Sequence, residues 1–209
     1  MSVKPDPKAE QQTDGRAAEV FRTAAQVILQ KGYDATSVSD IANALGITKA
    51  GLYHYIRGKT DLLYEIMQFG LRELHREVKA PAMKIADPEE RLRFIISTHA
   101  RIVTRGEGAV SILVDETRAL TPTQLRAVTR LKRQYLVLLR DTLEELRGQG
   151  KLRKVDTTVA AFGVIAMINW LSRWYQPDGP LKAEQIADQI TDIALHGFVK
   201  QRGPRAVSA

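Results

Sequence analysis

The chain has 209 residues, of which 44% are hydrophobic and 26% charged, a composition that excludes a chain disordered as a whole and allows one or two domains with a sizeable core. It contains no cysteine, which excludes a disulfide framework and any thiolate metal site and leads to the expectation of a reducing, cytoplasmic location. The net charge of +7 favours polyanionic partners in general, but residues 1–79 hold 11 Lys/Arg against 10 Asp/Glu and residues 80–209 hold 20 against 14, so most of the excess lies in the second part of the chain.

Residues 1–14 are polar, carry Pro5 and Pro7 and have no apolar stretch; they are expected to be a flexible tail and not a secretory signal. A helix from about Gly15 to Lys31 places Val20, Phe21, Ala24, Ala25, Ile28 and Leu29 inward and stops at Gly32, with Tyr33 able to fold back on it. Next, Val38, Ile41, Ala42 and Leu45 follow the i, i+3, i+4, i+7 pattern, and Ser37 with Asp40 resembles a capping box. Gly46 supplies a left-handed stop and Thr48 caps a second short helix, Lys49 to Tyr55. A helix from Lys59 to about Lys79, with Leu62, Leu63, Ile66, Met67, Leu71, Leu74 and Val78 on one stripe, ends before Pro81.

In the second part, Asp87-Pro88 opens a helix to about Thr104, with Leu92, Ile95, Ile96 and His99 on one face. Gly106 and Gly108 break it, and a shorter helix covers Val110 to Leu120. Thr121-Pro122 starts a long helix to about Arg147, Asp156 caps one to about Tyr175, and the last runs from Lys182 to Lys200 before a basic tail, 201–209. The last helix places Ile186, Ala187, Ile190, Ile193, Ala194 and Phe198 on one side. No strand periodicity competes, so the fold class is all-α: an amino-terminal three-helix domain over 15–62, a linking helix to about 79, and a larger helical domain over 63–200. The longest nearly apolar run, Val159 to Leu171, is short of the roughly twenty residues that cross a bilayer.

Two capped short helices around a glycine turn of about three residues form the arrangement that places one helix in a DNA groove. Leu52 points inward and leaves a face with Lys49, Tyr53 and His54, and between Gly46 and Thr60 there are three Lys/Arg and no acid. Gly51, inside the second helix, costs roughly 1 kcal/mol against alanine, which suggests that a backbone or a phosphate comes close. Lys59 opens a helix where the macrodipole disfavours a cation by roughly 0.3–1 kcal/mol, and a bound phosphate would reverse that sign. Gly58-Lys59-Thr60 ends like a P-loop, but that motif needs glycine at position 53, which is Tyr53, and a preceding strand.

The segment resembles the amino-terminal domain of TetR-type transcriptional regulators over about residues 16 to 64. Thr36, Ile41, Ala42, Gly46, Ile47, Thr48, Gly51, Leu52, Tyr53, His54, Tyr55, Lys59 and Leu62 sit in step with that family's pattern. The resemblance implies a DNA site of Thr36, Ser37, Thr48, Lys49, Ala50, Gly51, Tyr53, His54 and Lys59. Of these, Lys49, Tyr53 and His54 would reach the groove, and Thr36, Ser37, Thr48 and Lys59 would secure phosphates. It also implies a homodimer formed through the last two long helices, bound to a pseudo-palindromic operator on double-stranded DNA.

Proteins of this family usually carry a small-molecule site in the carboxy-terminal half. Asn169-Trp170-Leu171-Ser172-Arg173-Trp174-Tyr175-Gln176-Pro177-Asp178-Gly179-Pro180-Leu181 is similar to a segment of a subgroup that senses acyl-coenzyme A thioesters in fatty-acid or steroid breakdown. Trp170 and Trp174, with Arg173, Arg118 and Arg133, are the candidate ligand residues, able to stack an adenine and pair with phosphates. Arg126, Arg130, Lys132 and Arg140 add positive charge on the middle helices. A drug, sterol or fatty acid is the alternative effector. No cofactor is expected. Ligand binding would shift the Lys59 to Lys79 helix and release the operator.

Catalysis is not expected: His54, His75, His99 and His196 have no metal-ligand spacing and no nucleophile motif occurs. Asp115 or Glu116 beside Arg118 could form a polar site, but such a pair is usually structural. A helical protein-binding adaptor is the remaining alternative, and it predicts no salt-sensitive affinity for DNA.

Overall fold

The computed structural model describes residues 7–106, 108–115 and 117–199, with side chains for 15–106, 108–113 and 117–199; Asp115 and Glu116, weighed above as a polar site, have no described side chains. Ten α-helices make up the described residues: α1 Pro7–Lys31, α2 Val38–Ala44, α3 Lys49–Leu52, α4 Lys59–Leu74, α5 Ala80–Ala82, α6 Pro88–Thr104, α7 Ala109–Asp115, α8 Pro122–Gly148, α9 Thr157–Trp174 and α10 Ala183–Phe198. A π-helical turn, His75–Lys79, joins α4 to α5, and a 3-10 turn, Thr117–Ala119, precedes α8. Among the described residues the only β pairing is an isolated antiparallel bridge, Leu152 to Val199. The fold is all-α.

Helix starts follow the caps. Asp87 accepts from the amides of Glu89 and Glu90 at the head of α6, and Asp156 from those of Thr158 and Val159 at the head of α9. Each takes up amides that have no partner inside the helix. Thr121 and Gln124 cap α8 reciprocally. α1 begins at Pro7 and not at Gly15: a first-position proline loses no helical hydrogen bond.

The helix after Lys59 also departs from expectation, because it does not stop before Pro81. It passes through the π turn, in which the Ala80 amide reaches the His75 carbonyl five residues back, into α5. Proline lacks an N–H and its ring clashes with the carbonyl four residues earlier; widening the preceding turn to π geometry accommodates both.

The chain forms two compact units, one reaching to Glu73 and taking in Gly106–Leu131, the other made of Leu74–Arg105 and the residues from Lys132 on. The division is therefore not the linear one expected near residue 62. In the first unit α1 packs on α2 and α7, and α2 on α3. Gly70 lets α4 lie against α7, since a Cβ there would meet the Ala109 carbonyl oxygen at 2.8 Å. Arg22 and the buried Glu73 pair at 3.0 Å and the guanidinium stacks on Phe69. In the second unit α6 is the central element, packed on α10, α9 and the π turn. α8 approaches α6 less closely and is joined to its neighbours by long side chains: Tyr135 to His99, Glu145 to Arg91, and Glu144 to Thr157.

Candidate nucleic-acid interface

The α2–α3 unit is fixed by its own ends. Ser37 and Asp40 form the expected capping box: the Asp40 amide donates to the Ser37 hydroxyl at 3.1 Å, and the Ser37 amide donates to the Asp40 carboxylate at 2.8 Å. Lys31, at 2.7 Å, and then Ser37 hold the Asp40 carboxyl well below the usual carboxylate range. The C-terminal end of α2 is closed by Gly46 at φ +65°, a left-handed conformation that costs glycine nothing. There the Gly46 amide donates to Asn43 and that of Ile47 to Ala42, the paired bonds of a Schellman motif. Thr48 then caps α3, accepting from the Gly51 amide at 3.0 Å.

Beneath α3 lie Leu52, Ile41 and Ala42, all buried. Above it Lys49, Ala50, Tyr53 and His54 are exposed together, with Thr48 at one end and Ser37 exposed nearby in the chain at the head of α2. α3 is shorter than expected, ending at Leu52 with Tyr53 as its cap; Tyr53 and His54 occupy the tight turn that follows, where their amides donate to Lys49 and Gly51. The Thr48 hydroxyl accepts from the cap amide and keeps its proton for donation to a further partner.

Three residues of the expected DNA set have other tasks. Thr36 is buried and its hydroxyl donates to the Gly32 carbonyl at 2.7 Å, so it closes the end of α1 and does not face a phosphate. Lys59 donates to the Asp34 carbonyl at 3.1 Å and lies 4.3 Å from the centre of the Tyr33 ring. Those contacts give a local reason for a cation at the start of α4, beside the unfavourable dipole. Gly51 also has a reason inside the protein: a Cβ would stand 3.3 Å from the Thr48 hydroxyl oxygen and crowd the cap.

The proposed ligand residues are divided between the two units. Arg118 belongs to the first unit and Arg133, Trp170, Arg173 and Trp174 to the second. Trp170 is 65% exposed and Trp174 48%; they extend a helical stripe on α9 that begins with Val159 and Phe162, exposed at 65% and 55%. On α10, Ile193, expected on the inward side, is 60% exposed. α9 thus has one apolar face in the protomer's core and a second that the protomer does not cover, whereas on α10 Ile193 stands among exposed polar residues such as Gln189 and Asp192.

Polarity inside the second unit lies elsewhere. His99 of α6 and Tyr135 of α8 are both buried, with the Tyr135 hydroxyl 3.0 Å from His99 Nδ1 and the rings edge to face. Burial holds the imidazole neutral, its pKa lowered to about 3, and pushes that of the phenol up. His99 was visible in the sequence only as a member of an apolar stripe; Tyr135 gave no signal, because pairing across two helices has no local pattern. The described residues contain no group of three His, Cys, Asp or Glu able to hold a metal, and no helix long and apolar enough to cross a membrane.

A capped helix-turn-helix with a hydrogen-bonding outer face, followed by a separate helical unit, defines a DNA-binding regulator. The chain belongs to the tetR family of bacterial regulatory proteins: residues 20–66 match the model of that family's amino-terminal region, and residues 86–198 match that of the tetracyclin repressor-like C-terminal domain. It is a transcriptional regulator that binds operator DNA, and not an enzyme.

The chain is 29% identical over 202 residues to the HTH-type transcriptional repressor KstR2 of Mycolicibacterium smegmatis, covering 95% of this chain and 98% of that protein. Its fold is similar to that of AibR, whose structure was determined in complex with isovaleryl coenzyme A and operator DNA, with a TM-score of 0.77, 37% identity, and 85% and 97% of the two chains covered. The ketosteroid transcriptional regulator KstR2 of Mycobacterium tuberculosis gives a TM-score of 0.79 at 26% identity, over 89% and 96% of the chains.

Proposed function

We propose that the protein is a homodimeric repressor whose operator is released by an acyl-coenzyme A thioester. The observation that carries the DNA reading is the rigid α2–α3 unit with Lys49, Ala50, Tyr53 and His54 exposed on one side. On this reading Lys49, Tyr53 and His54 meet base edges in the major groove, and Thr48 and Ser37 lie at the phosphates. The exposed stripe of α9, with Ile193 of α10, supplies the twofold interface, so the operator has two half-sites about one helical turn apart. Trp170 and Trp174 belong to that interface and not to the ligand site. The similarity to AibR and its isovaleryl coenzyme A supports a thioester as the effector. Release is a coupling free energy: an effector that prefers the DNA-incompetent state by about 1.4 kcal/mol weakens the operator tenfold.

The test is selection of bound sequences from a randomised duplex pool, followed by titration of the enriched site with acyl-coenzyme A thioesters of increasing chain length. A palindrome released by one or more thioesters is the expected result. A palindrome that no thioester releases would discard the effector, and no enrichment would discard the reading helix.

A further inference from the structure

The buried pair His99–Tyr135 has a hydrogen-bonding capacity that the protein does not use. Its protons can be placed by counting. A neutral imidazole has one N–H and one acceptor nitrogen, and a phenol has one proton to donate. The structure gives the Tyr135 hydroxyl a single partner, His99 Nδ1. If the phenol donates to Nδ1, the imidazole proton is on Nε2 and one buried group is left over. If Nδ1–H donates to the phenol instead, two are left over, the phenol proton and the Nε2 lone pair. A buried unpaired group costs about 1–3 kcal/mol, so the first arrangement prevails. His99 Nε2 is then a buried N–H donor with no protein partner. Its imidazole stays neutral across the physiological range, because burial removes the charged form. The donor sits on the central helix of a unit whose other interior side chains include Ile95, Ile96, Leu139, Leu143, Val164 and Ile168. α8, which carries Tyr135, keeps a looser distance from α6 than α9 and α10 do.

We infer that His99 Nε2–H is the specificity group of the effector site, donating a hydrogen bond to the carbonyl oxygen of an acyl ligand, with Tyr135 holding the ring in the donating tautomer. The inference rests on the acyl-thioester reading above and deepens it. A ligand carbonyl has the required chemistry: it accepts without donating and carries no charge into an apolar interior. A free carboxylate would bring a charge, with a neutral donor only to meet it, and is disfavoured. An alkyl chain alone would leave the donor unpaired. His99 therefore selects ligands with a neutral acceptor at the head of an apolar chain, and Tyr135 acts as a positioning residue.

The experiment measures release of the enriched operator by fluorescence anisotropy, using the full chain and a panel of straight and branched acyl-coenzyme A thioesters. The most effective thioester is then compared with its thioether analogue, in which the carbonyl is a methylene. On the wild type the thioether is expected to need at least tenfold more ligand, which is about 1.4 kcal/mol. His99→Met, which has no donor, is expected to need a similar excess of the thioester and to treat thioester and thioether alike. His99→Gln, which keeps an amide N–H, is expected to recover most of the response. Equal release by thioester and thioether on the wild type overturns the inference whether or not the variants fold. So does a His99→Met response equal to wild type, in which case Nε2 meets a structural water only. Release by no thioester at all overturns both this inference and the effector reading, whereas release with indifference to the carbonyl leaves the effector reading standing.

Discussion

Lys49 and Lys59 are both cations of the helix-turn-helix region, and their surroundings give them opposite tasks. Lys49 is exposed on the outer side of α3, while Lys59 is held by the Asp34 carbonyl and the Tyr33 ring. Lys49→Ala is expected to lower operator affinity by about 1–3 kcal/mol if it reads a base, and to reduce the salt slope by about one if it lies at a phosphate. Unchanged affinity in a gel-shift titration would remove α3 from the groove. Lys59→Ala acts first on the loop after α1, and its effect is expected in the melting temperature. Ordinary sequence reasoning could not separate the two lysines, because the motif places both near DNA and only tertiary contacts show which is already engaged. Thr36 is the same case: its place in the pattern is read correctly, and its burial is not.

His99 carries a pH consequence with a definite sign. Its folded pKa is depressed to about 3 from the ordinary 6.5, so below pH 6.5 the unfolded chain takes up a proton that the native protein refuses. The stabilisation is complete above pH 6.5 and is lost progressively as pH falls from there towards 3. Thermal melts of wild type and His99→Gln are expected to run parallel above pH 7 and to converge or cross between pH 6.5 and 4, with the wild type losing more. The lowered carboxyls Asp40, Asp87 and Asp156 act in both proteins and drop out of the difference. Parallel curves through that window would mean that the imidazole is not held neutral.

Among the helices, the starts of those with a side-chain cap were legible from sequence to within a residue or two, because a cap is a local chemical event at Ser37, Thr48, Asp87, Thr121 and Asp156. What escaped were the places where distant backbone decides. Pro81 reads as a stop, yet the π turn before it carries the helix on. Gly70 has no local pattern that announces a task, and it is where α4 meets α7. Gly70→Ala is expected to destabilise by about 1–3 kcal/mol, since the new methyl meets backbone atoms at 2.8 and 2.9 Å that cannot swing aside. Gly15→Ala, in α1 with nothing within 4 Å of the new Cβ, is expected to stabilise by about 0.5–1 kcal/mol. Urea titrations of the two variants check both signs, and a Gly70→Ala midpoint equal to wild type would show that α4 and α7 can part at little cost.

The protein binds operator DNA as a dimer with two reading heads, and the surface proposed to join them is the apolar stripe of Val159, Phe162, Trp170 and Trp174 on α9 with Ile193 on α10. A row of exposed large apolar side chains of this kind is costly in a monomer and is the mark of an interface. The sequence showed that α9 is apolar around most of its circumference but not which side the protomer covers, and so left Trp170 and Trp174 open to a ligand role; their exposure points them to the partner protomer instead. Because the stripe is exposed in the protomer, a charge placed there does not touch its core. Phe162→Asp and Ile193→Asp are therefore expected to leave the far-UV circular dichroism unchanged while buried carboxylates break the dimer, seen as half the mass in sedimentation velocity. The second head then no longer binds at the millimolar effective concentration that linkage provides, and operator affinity is expected to fall by about 10²–10⁴. Affinity for a single half-site, measured on a duplex carrying only one, is expected to stay where it was, since no residue of α3 has changed. A dimer that survives both substitutions would move the interface off α9 and α10, and an equal loss on full and half operators would mean that the substitutions had damaged the reading head itself.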